Sequence, residues 1–305
     1  MLLGYLPLNR DRQNDSIARK QAEYQQFVNT LCGPQRSSSS SGASSAASLS
    51  TTTPNMSESD AALLRQVLYD VKRMSPRTKL LQIDVIQRAL ERVLYVFAQR
   101  HFATGYVQGI NDLAAPFFLV FLSPWADEDT TSLDHVDPEV LMGIEGDVYW
   151  CLSRLIEGMQ DHYMPSQPGI QRMIHQLREL VHRMDEQLVM HLEANSVEFH
   201  TFAFRWMNCL LLRELPLRLV VRLWDTYMAE MKNSIKDGFG NFHIFVCAAL
   251  LLKFRSKLKE MKFQDLLQFL HNLPTNDWTI KDIEELLSQA YVYMSSFEGS
   301  PSHLK

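Results

Sequence analysis

The sequence predicts an all-α fold, and three observations support that prediction. Apolar residues recur at helical spacing in many segments, as Ile86, Leu90 and Phe97 illustrate. Proline stands where helices would begin, at Pro138 and Pro168, and the first helical turn tolerates proline because its missing N–H has no partner there. No alternating apolar and polar run bounded by turns requires a sheet, so we expect many short and medium helices.

Composition narrows the class of protein. The chain has 305 residues, of which 46% are hydrophobic, enough for a large core. Its net charge of -5 argues against a nucleic-acid binder with a basic surface. Its four cysteines are scattered and form no CxxC pair, which favours a reducing cytosolic compartment over a zinc site or disulfide framework. The longest apolar run, 113–122, is too short to span a bilayer.

The first half of the chain contains several expected helices. Residues 10–31 carry one narrow apolar stripe, and the next ordered stretch resumes near Ser59 and ends at Ser75 and Pro76. Residues 80–102 form the strongest candidate, and Pro116 either kinks the next helix or starts a new one. In the 80–102 helix the expected solvent face is charged or polar: Asp84, Gln87, Arg88, Glu91 and Arg92.

Residues 35–57 consist almost entirely of Ser, Thr, Ala and Gly, with five consecutive serines at 37–41. Such a composition cannot bury enough apolar surface to offset the entropy of ordering the chain. We therefore expect a disordered Ser-rich insertion in a surface loop.

In the second half the pattern is helical almost throughout, after an acidic loop at 124–137. A polar, glycine-containing loop is expected at 229–240. The expected helices begin at Pro138 and Pro168 and continue through residues 199–212, 217–228, 242–254, 263–273 and 280–294.

Known nucleotide and metal motifs are missing from the sequence. It contains no Walker phosphate loop, GxGxxG fingerprint, GxSxG elbow, HExxH zinc motif or kinase signature. We therefore expect no cofactor and no metal site. Any phosphate chemistry would act on a nucleotide held by another protein.

The stretch around Gln108 joins two apolar helical segments. Gln108 can orient a water without taking its proton, and Tyr106 can anchor the loop. Gly109 permits close backbone approach, and Asn111 and Asp112 can cap the following helix. Read alone, this stretch is better interpreted as an ordinary helix connection with a glycine turn.

Arg73, upstream of that stretch, is one of several cations, and alone it reads as part of a solvated basic loop. Together, however, the two stretches match paired signatures of the forms IxxDxxR and YxQGMNDL. The first match is Val67, Asp70 and Arg73; the second is Tyr106, Gln108, Gly109, Asn111, Asp112 and Leu113. The sequence thus resembles the TBC domain, the catalytic domain of the Rab GTPase-activating proteins.

Further family-like positions follow in the family's order, among them Arg205, Trp206, Trp224 and Asp225. Residues 167–171 and 204–217 look most like the Golgi-associated branch. The resemblance implies a multi-helix TBC fold of two helical subdomains forming a groove. We expect residues 1–305 to be a single TBC domain, truncated at its N-terminus, with a subdomain boundary near 185–198.

The resemblance also implies roles for individual residues. Arg73 would be an arginine finger and Gln108 a glutamine finger, both acting on GTP bound to the partner. Asp70 would pair with Arg73 or brace its loop, while Lys72 stands where relatives often have proline. The remaining positions would support these two groups: Tyr106, Gly109 and Asn111 would hold the glutamine loop, and Arg205, Trp206, Trp224 and Asp225 the groove.

The implied partner is a Rab-family small GTPase in its GTP-bound state, which carries its own GTP and magnesium. The implied location is cytoplasmic, with peripheral recruitment to the Golgi or other endomembranes. A second hypothesis is a catalytically silent TBC-fold scaffold that binds Rab or other trafficking proteins. The presence of both Arg73 and Gln108 favours the first hypothesis, because a silent scaffold needs neither.

Overall fold

The computed structural model of the chain describes residues 3–33, 57–75 and 78–297. Every regular element within these ranges is a helix, so the predicted all-α class is confirmed. The Ser-rich insertion predicted at 35–57 lies outside the described residues except for Ser57, whose side chain caps the next helix. No helix among the described residues is long and apolar enough to cross a membrane.

The first compact unit comprises Leu3–Ile156. Its α-helices are α1 (Gln13–Leu31), α2 (Glu58–Lys72), α3 (Asp84–Arg100), α4 (Ile110–Leu122) and most of α5 (Pro138–Gly158). Short 3-10 turns precede α1 at Arg10–Arg12 and α3 at Lys79–Gln82. Pro116 lies inside α4, so it does not start a new helix.

Helix α3 differs from its prediction in two ways. It begins at Asp84, because residues 79–82 form the separate 3-10 turn. Its expected solvent face is also partly wrong, since Glu91 is buried and Arg92 makes a buried ion pair. The Arg92 guanidinium donates to both carboxylate oxygens of Glu145 at 2.8 and 2.6 Å, and the Tyr24 hydroxyl donates to the same carboxylate at 2.6 Å. The three side chains tie α1, α3 and α5 together.

The second unit comprises Glu157–Lys305. Its α-helices are α6 (Gln160–Tyr163), α7 (Pro168–Met184), α8 (Glu186–Ala194), α9 (Phe199–Asn208), α10 (Leu217–Ala229), α11 (His243–Lys253), α12 (Arg255–Glu260), α13 (Phe263–His271) and α14 (Ile280–Phe297). Helix α11 is buried along most of its length and packs against α7 and α14. It forms the centre of this unit's core.

The boundary expected near 185–198 lies inside the second unit. Asp185 lies between α7 and α8. Its side chain accepts a hydrogen bond from the Leu188 N–H of α8 and forms an ion pair with Lys259 at 2.8 Å. The two helices therefore pack on each other within one unit.

Two further segments of the second unit differ from expectation. Helix α9 stops at Asn208, because the buried residues Leu210 and Leu211 adopt left-handed φ values of 49° and 64°.

The loop predicted at 229–240 ends in a π-helix, Asp237–Phe242. Gly238 lies so close to α10 that a Cβ atom there would be 1.9 Å from the Tyr227 carbonyl oxygen.

Candidate functional site

Arg73 terminates α2 and projects from the surface of the first unit. Its backbone N–H donates to the Asp70 carbonyl at 3.3 Å, and the Met74 N–H donates to the Val71 carbonyl at 3.1 Å, which closes the last helical turn. Its side chain is exposed, and the guanidinium carbon lies 4.9 Å from the centroid of the Tyr69 ring. The helix ends here because Ser75 takes a left-handed φ of 35° and is followed in sequence by proline.

The backbone after Arg73 is held from two sides. The Met74 side chain is 2% exposed and anchors the segment in the core. The side-chain amide of Gln82 donates to the carbonyl oxygens of Met74 and Ser75, at 2.9 and 3.3 Å. Sequence analysis did not predict this contact, since Gln82 belongs to neither signature.

Lys72, the last residue of α2, stands where the family often has proline. Lys72 is still helical, so the chain leaves the helix at the next residue, Arg73, which is the C-cap. Burial raises the pKa of the neighbouring Glu91 carboxyl, and the positive charge of Lys72 partly offsets that rise. Lys72 thus places a cation beside a buried carboxyl of α3.

Gln108 lies on an exposed connection between α3 and α4. Gly105 and Gly109 at its two sides have φ values of 60° and 109°, which glycine adopts without the penalty that a Cβ atom imposes. Gly109 itself is the N-cap of α4. Asn111 was expected to cap this helix, but it lies in the first turn, where its buried Oδ1 accepts the Gly109 N–H at 3.0 Å.

A hydrogen bond joins the Arg73 and Gln108 segments. The Tyr106 hydroxyl donates to Oδ2 of Asp70 at 3.0 Å, and Asp70 is only 7% exposed. Asp70 thus has a partner on the Gln108 segment, a contact that differs from its two predicted roles of pairing with Arg73 and bracing the Arg73 loop. The structure therefore brings the two signatures together through their supporting residues.

Four other predicted positions, Arg205, Trp206, Trp224 and Asp225, belong to the second unit. Arg205 donates through Nε to the buried Glu214 carboxylate at 2.6 Å and through its guanidinium to the His271 carbonyl at 2.8 Å. Both tryptophans are buried core residues, and Asp225 is exposed. These contacts suit packing and helix tethering.

The chemistry available at the first-unit site is hydrogen-bond donation and charge. A guanidinium is planar and permanently positive, so it matches phosphate oxygens. A glutamine amide both donates and accepts, so it can fix the orientation of a water molecule. Within the described ranges, no three His, Cys, Asp or Glu side chains cluster in a way that could hold a metal ion.

Known proteins resemble this chain over most of its length. The family model described as the Rab-GTPase-TBC domain matches residues 19–259. The chain is 46% identical to the GTPase-activating protein gyp1 of Schizosaccharomyces pombe, covering all of this chain and 55% of that protein. It is 44% identical to TBC1 domain family member 22A of Homo sapiens, again covering all of this chain and 55% of that protein. The chain therefore spans about half the length of these curated relatives.

Solved structures show the same fold. The crystal structure of the Ypt/Rab-GAP domain of Gyp1p matches with a TM-score of 0.81 and 39% identity, over 97% of this chain and 86% of that one. The flagellar RabGAP TBC domain of Chlamydomonas matches with a TM-score of 0.55 over 94% of this chain and 85% of that one. At 17% identity, the second match supports the fold alone.

Proposed function

The chain belongs to the Rab-GTPase-TBC domain family, and we propose that it accelerates GTP hydrolysis by a Rab-family small GTPase. In this proposal Arg73 and Gln108 enter the partner's nucleotide site in trans. The partner is in its GTP-bound state and brings its own GTP and magnesium. The chain itself supplies donors and positive charge and carries out no separate reaction.

The observation that carries the proposal is the hydrogen bond between Tyr106 and Asp70. It fixes two exposed side chains relative to each other by joining the segments on which they lie. Arg73 is three residues after Asp70, and Gln108 is two residues after Tyr106. Effective stabilisation of a transition state requires groups that are already in place, because reorganising them during the reaction costs free energy.

Arg73 acts on charge. As the bond to the γ-phosphate breaks, negative charge builds on the transferred phosphoryl group and the leaving oxygen. A guanidinium brought to those oxygens stabilises the transition state more than the ground state. Arginine fingers are worth about 10³ to 10⁵ in rate, or roughly 4 to 7 kcal/mol.

Gln108 acts on the attacking water. Its amide can accept from the water and donate to a phosphate oxygen, so the water is aligned with the bond that breaks. This is the task that a glutamine of the GTPase performs in related systems. Gly109 and Asn111 hold the segment that presents Gln108, through the hydrogen bond between them.

We further propose that the protein acts in the cytoplasm, with peripheral recruitment to Golgi or other endomembranes. Support comes from residues 167–171 and 204–217, which look most like the Golgi-associated branch of the family. Imaging a fluorescently tagged full-length protein beside Golgi and endosomal markers tests this location.

The function is tested by single-turnover hydrolysis on a panel of GTP-loaded Rabs. We expect acceleration on at least one Rab, with losses of about 10³-fold or more in Arg73→Ala and a clear slowing in Gln108→Ala. Arg65→Ala is the matched control, because Arg65 is an exposed arginine of the same helix. A chain that binds GTP-loaded Rabs and accelerates none would instead be a scaffold.

A further inference from the structure

Gln82 occupies the end of a firmly packed 3-10 turn, Lys79–Gln82. The two leucines of this turn, Leu80 and Leu81, are fully buried. The Leu80 N–H donates to the Glu128 carbonyl at 3.2 Å, which ties the turn to the loop before α5. The backbone of Gln82 is therefore held independently of α2.

The side chain of Gln82 reaches from this turn to the residues after Arg73. One amide nitrogen donates to two consecutive carbonyls, those of Met74 at 2.9 Å and Ser75 at 3.3 Å. The amide oxygen accepts from Gln87 of α3 at 3.5 Å, a weak contact that orients the group. A neutral amide suits this position, because both targets are acceptors and a carboxylate would repel them.

The backbone that Gln82 contacts includes a residue in a strained conformation, Ser75. Ser75 has a φ of 35°, a region that costs a non-glycine residue about 1 to 3 kcal/mol unless its surroundings enforce it. The Ser75 carbonyl accepts from both Gln82 and the Thr78 N–H. Without the Gln82 amide, the Ser75 carbonyl would lose one of its two hydrogen-bond donors.

We propose that Gln82 is a positioning residue that fixes the direction in which Arg73 leaves α2. The inference rests on the proposed function and adds a residue outside both signatures. A displacement of about 1 Å at a reacting group can lower a rate about 10²-fold. Removing the amide is expected to slow the GTP hydrolysis that the chain stimulates on the Rab by about 10-fold to 100-fold at saturating chain, with affinity for the Rab changed less than about 2-fold.

The primary variant is Gln82→Met, which keeps the length of the side chain and removes its hydrogen bonds. Gln99→Met is the matched control. Gln99 is a half-buried glutamine of α3 whose amide donates to Asp60 at 2.7 Å, at the opposite end of α2. Gln99→Met removes a tether to the start of α2, and Gln82→Met removes a tether to the segment that follows α2, so only Gln82→Met acts beside Arg73.

Two measurements separate positioning from general stability. The first is single-turnover hydrolysis with Rab affinity measured in parallel, where Gln82→Met should lose rate and Gln99→Met should retain it. The second is amide hydrogen exchange of the chain alone. The N–H groups of Arg73, Met74 and Thr78 are hydrogen-bonded, and they should exchange at least about 5-fold faster in Gln82→Met only.

A double-mutant comparison then asks whether Gln82 acts through Arg73. In an Arg73→Ala background, Gln82→Met should slow the residual reaction by less than about 2-fold, because the group that it positions is gone. A full loss in that background would overturn the proposal. Unchanged exchange at residues 73–78 would also overturn it, as would equal rate losses in the two glutamine variants.

Failure of the proposed function looks different. In that case the unmodified chain accelerates GTP hydrolysis by none of the Rabs tested, and Gln82→Met has no rate to change. The exchange measurement needs no Rab, so it tests separately whether the Gln82 hydrogen bonds hold the Arg73 segment in place. Faster exchange with unchanged turnover on a responsive Rab would refute the positioning role and leave the proposed function intact.

Discussion

The hydroxyl of Tyr106 lies 3.0 Å from Oδ2 of Asp70, and this bond joins segments that are 36 residues apart in the sequence. Asp70 belongs to the last turn of α2, and Tyr106 belongs to the connection between α3 and α4. The carboxylate is nearly buried, so water can replace the tyrosine only poorly. A disturbance in either segment can therefore reach the other through this bond.

Tyr106→Phe removes that bond and keeps the aromatic ring. We expect the free energy of unfolding to fall by about 1 to 3 kcal/mol, because a buried carboxylate loses a donor. The GTP hydrolysis that the chain stimulates on the Rab should slow as well, since the segments of both proposed fingers share this bond. Urea denaturation and single-turnover hydrolysis measure the two effects. Tyr69→Phe, which removes an exposed hydroxyl one residue from Asp70, should change stability by less than about 0.5 kcal/mol.

The Arg92–Glu145 pair predicts a large stability effect with partial recovery. Arg92→Met leaves a buried carboxylate without its cation, and breaking such a pair costs about 3 to 5 kcal/mol. Adding Glu145→Leu and Tyr24→Phe removes the remaining polar groups, so most of the loss should be recovered. Urea denaturation of the single and triple variants tests this. A triple variant less stable than Arg92→Met alone would contradict it.

The π-helix predicts opposite outcomes for two glycines. A Cβ at Gly238 would overlap the Tyr227 carbonyl oxygen, whereas at Gly240 its nearest neighbour would be Cβ of Lys236 at 3.6 Å. Gly238→Ala should therefore destabilise the protein by about 3 kcal/mol or more, since the clash is with backbone. Gly240→Ala should lie within about 1 kcal/mol of the unmodified chain. Thermal and urea unfolding compare the pair directly.

Two buried histidines predict a loss of stability in mild acid. Burial lowers the pKa of His162 to about 4 and that of His243 to about 3. In the unfolded chain a histidine titrates near about 6.5, so below that pH the unfolded state binds more protons. The free energy of unfolding should fall as the pH drops from about 6.5 towards 4, by up to about 1.4 kcal/mol per pH unit for each histidine.

Urea titrations at a series of pH values measure that slope. His162→Gln should make it shallower, because one of the two depressed pKa values is removed. His200→Gln is the control, since His200 is exposed on α9 and should leave the slope unchanged. Equal slopes in all three proteins would exclude His162 as a source of the effect.

The missing phosphate loop predicts that the chain alone binds no guanine nucleotide. Calorimetric titration with GTP and magnesium should give no heat of binding. A sub-millimolar dissociation constant would mean that the chain holds its own nucleotide, contrary to an activator that acts on a partner's GTP.

Local sequence patterns predicted the parts of the fold that local physics controls. Proline and apolar spacing placed the starts of α5 and α7 correctly, because helix initiation depends on nearby residues. Glu91 and Arg92 were assigned to solvent since charge usually marks an exposed face. The burial of Arg92 depends on Glu145, 53 residues later, and no local pattern contains that partner.

The candidate site shows the same division. The signatures identified Arg73 and Gln108 by residue type and spacing. They did not reveal Gln82, because a glutamine side chain in sequence gives no indication of which carbonyls it will reach. They also did not reveal the early end of α9, since Leu210 and Leu211 carry none of the glycine or asparagine that usually marks left-handed backbone.

The position of Arg73 over the Tyr69 ring has a thermodynamic consequence for association. A freely rotating arginine loses up to about 2 kcal/mol of side-chain entropy when a partner immobilises it. A guanidinium already resting on an aromatic face samples fewer rotamers in the free protein. Part of the Arg73 side-chain entropy is thus lost already on folding, so less of it is lost when a partner binds.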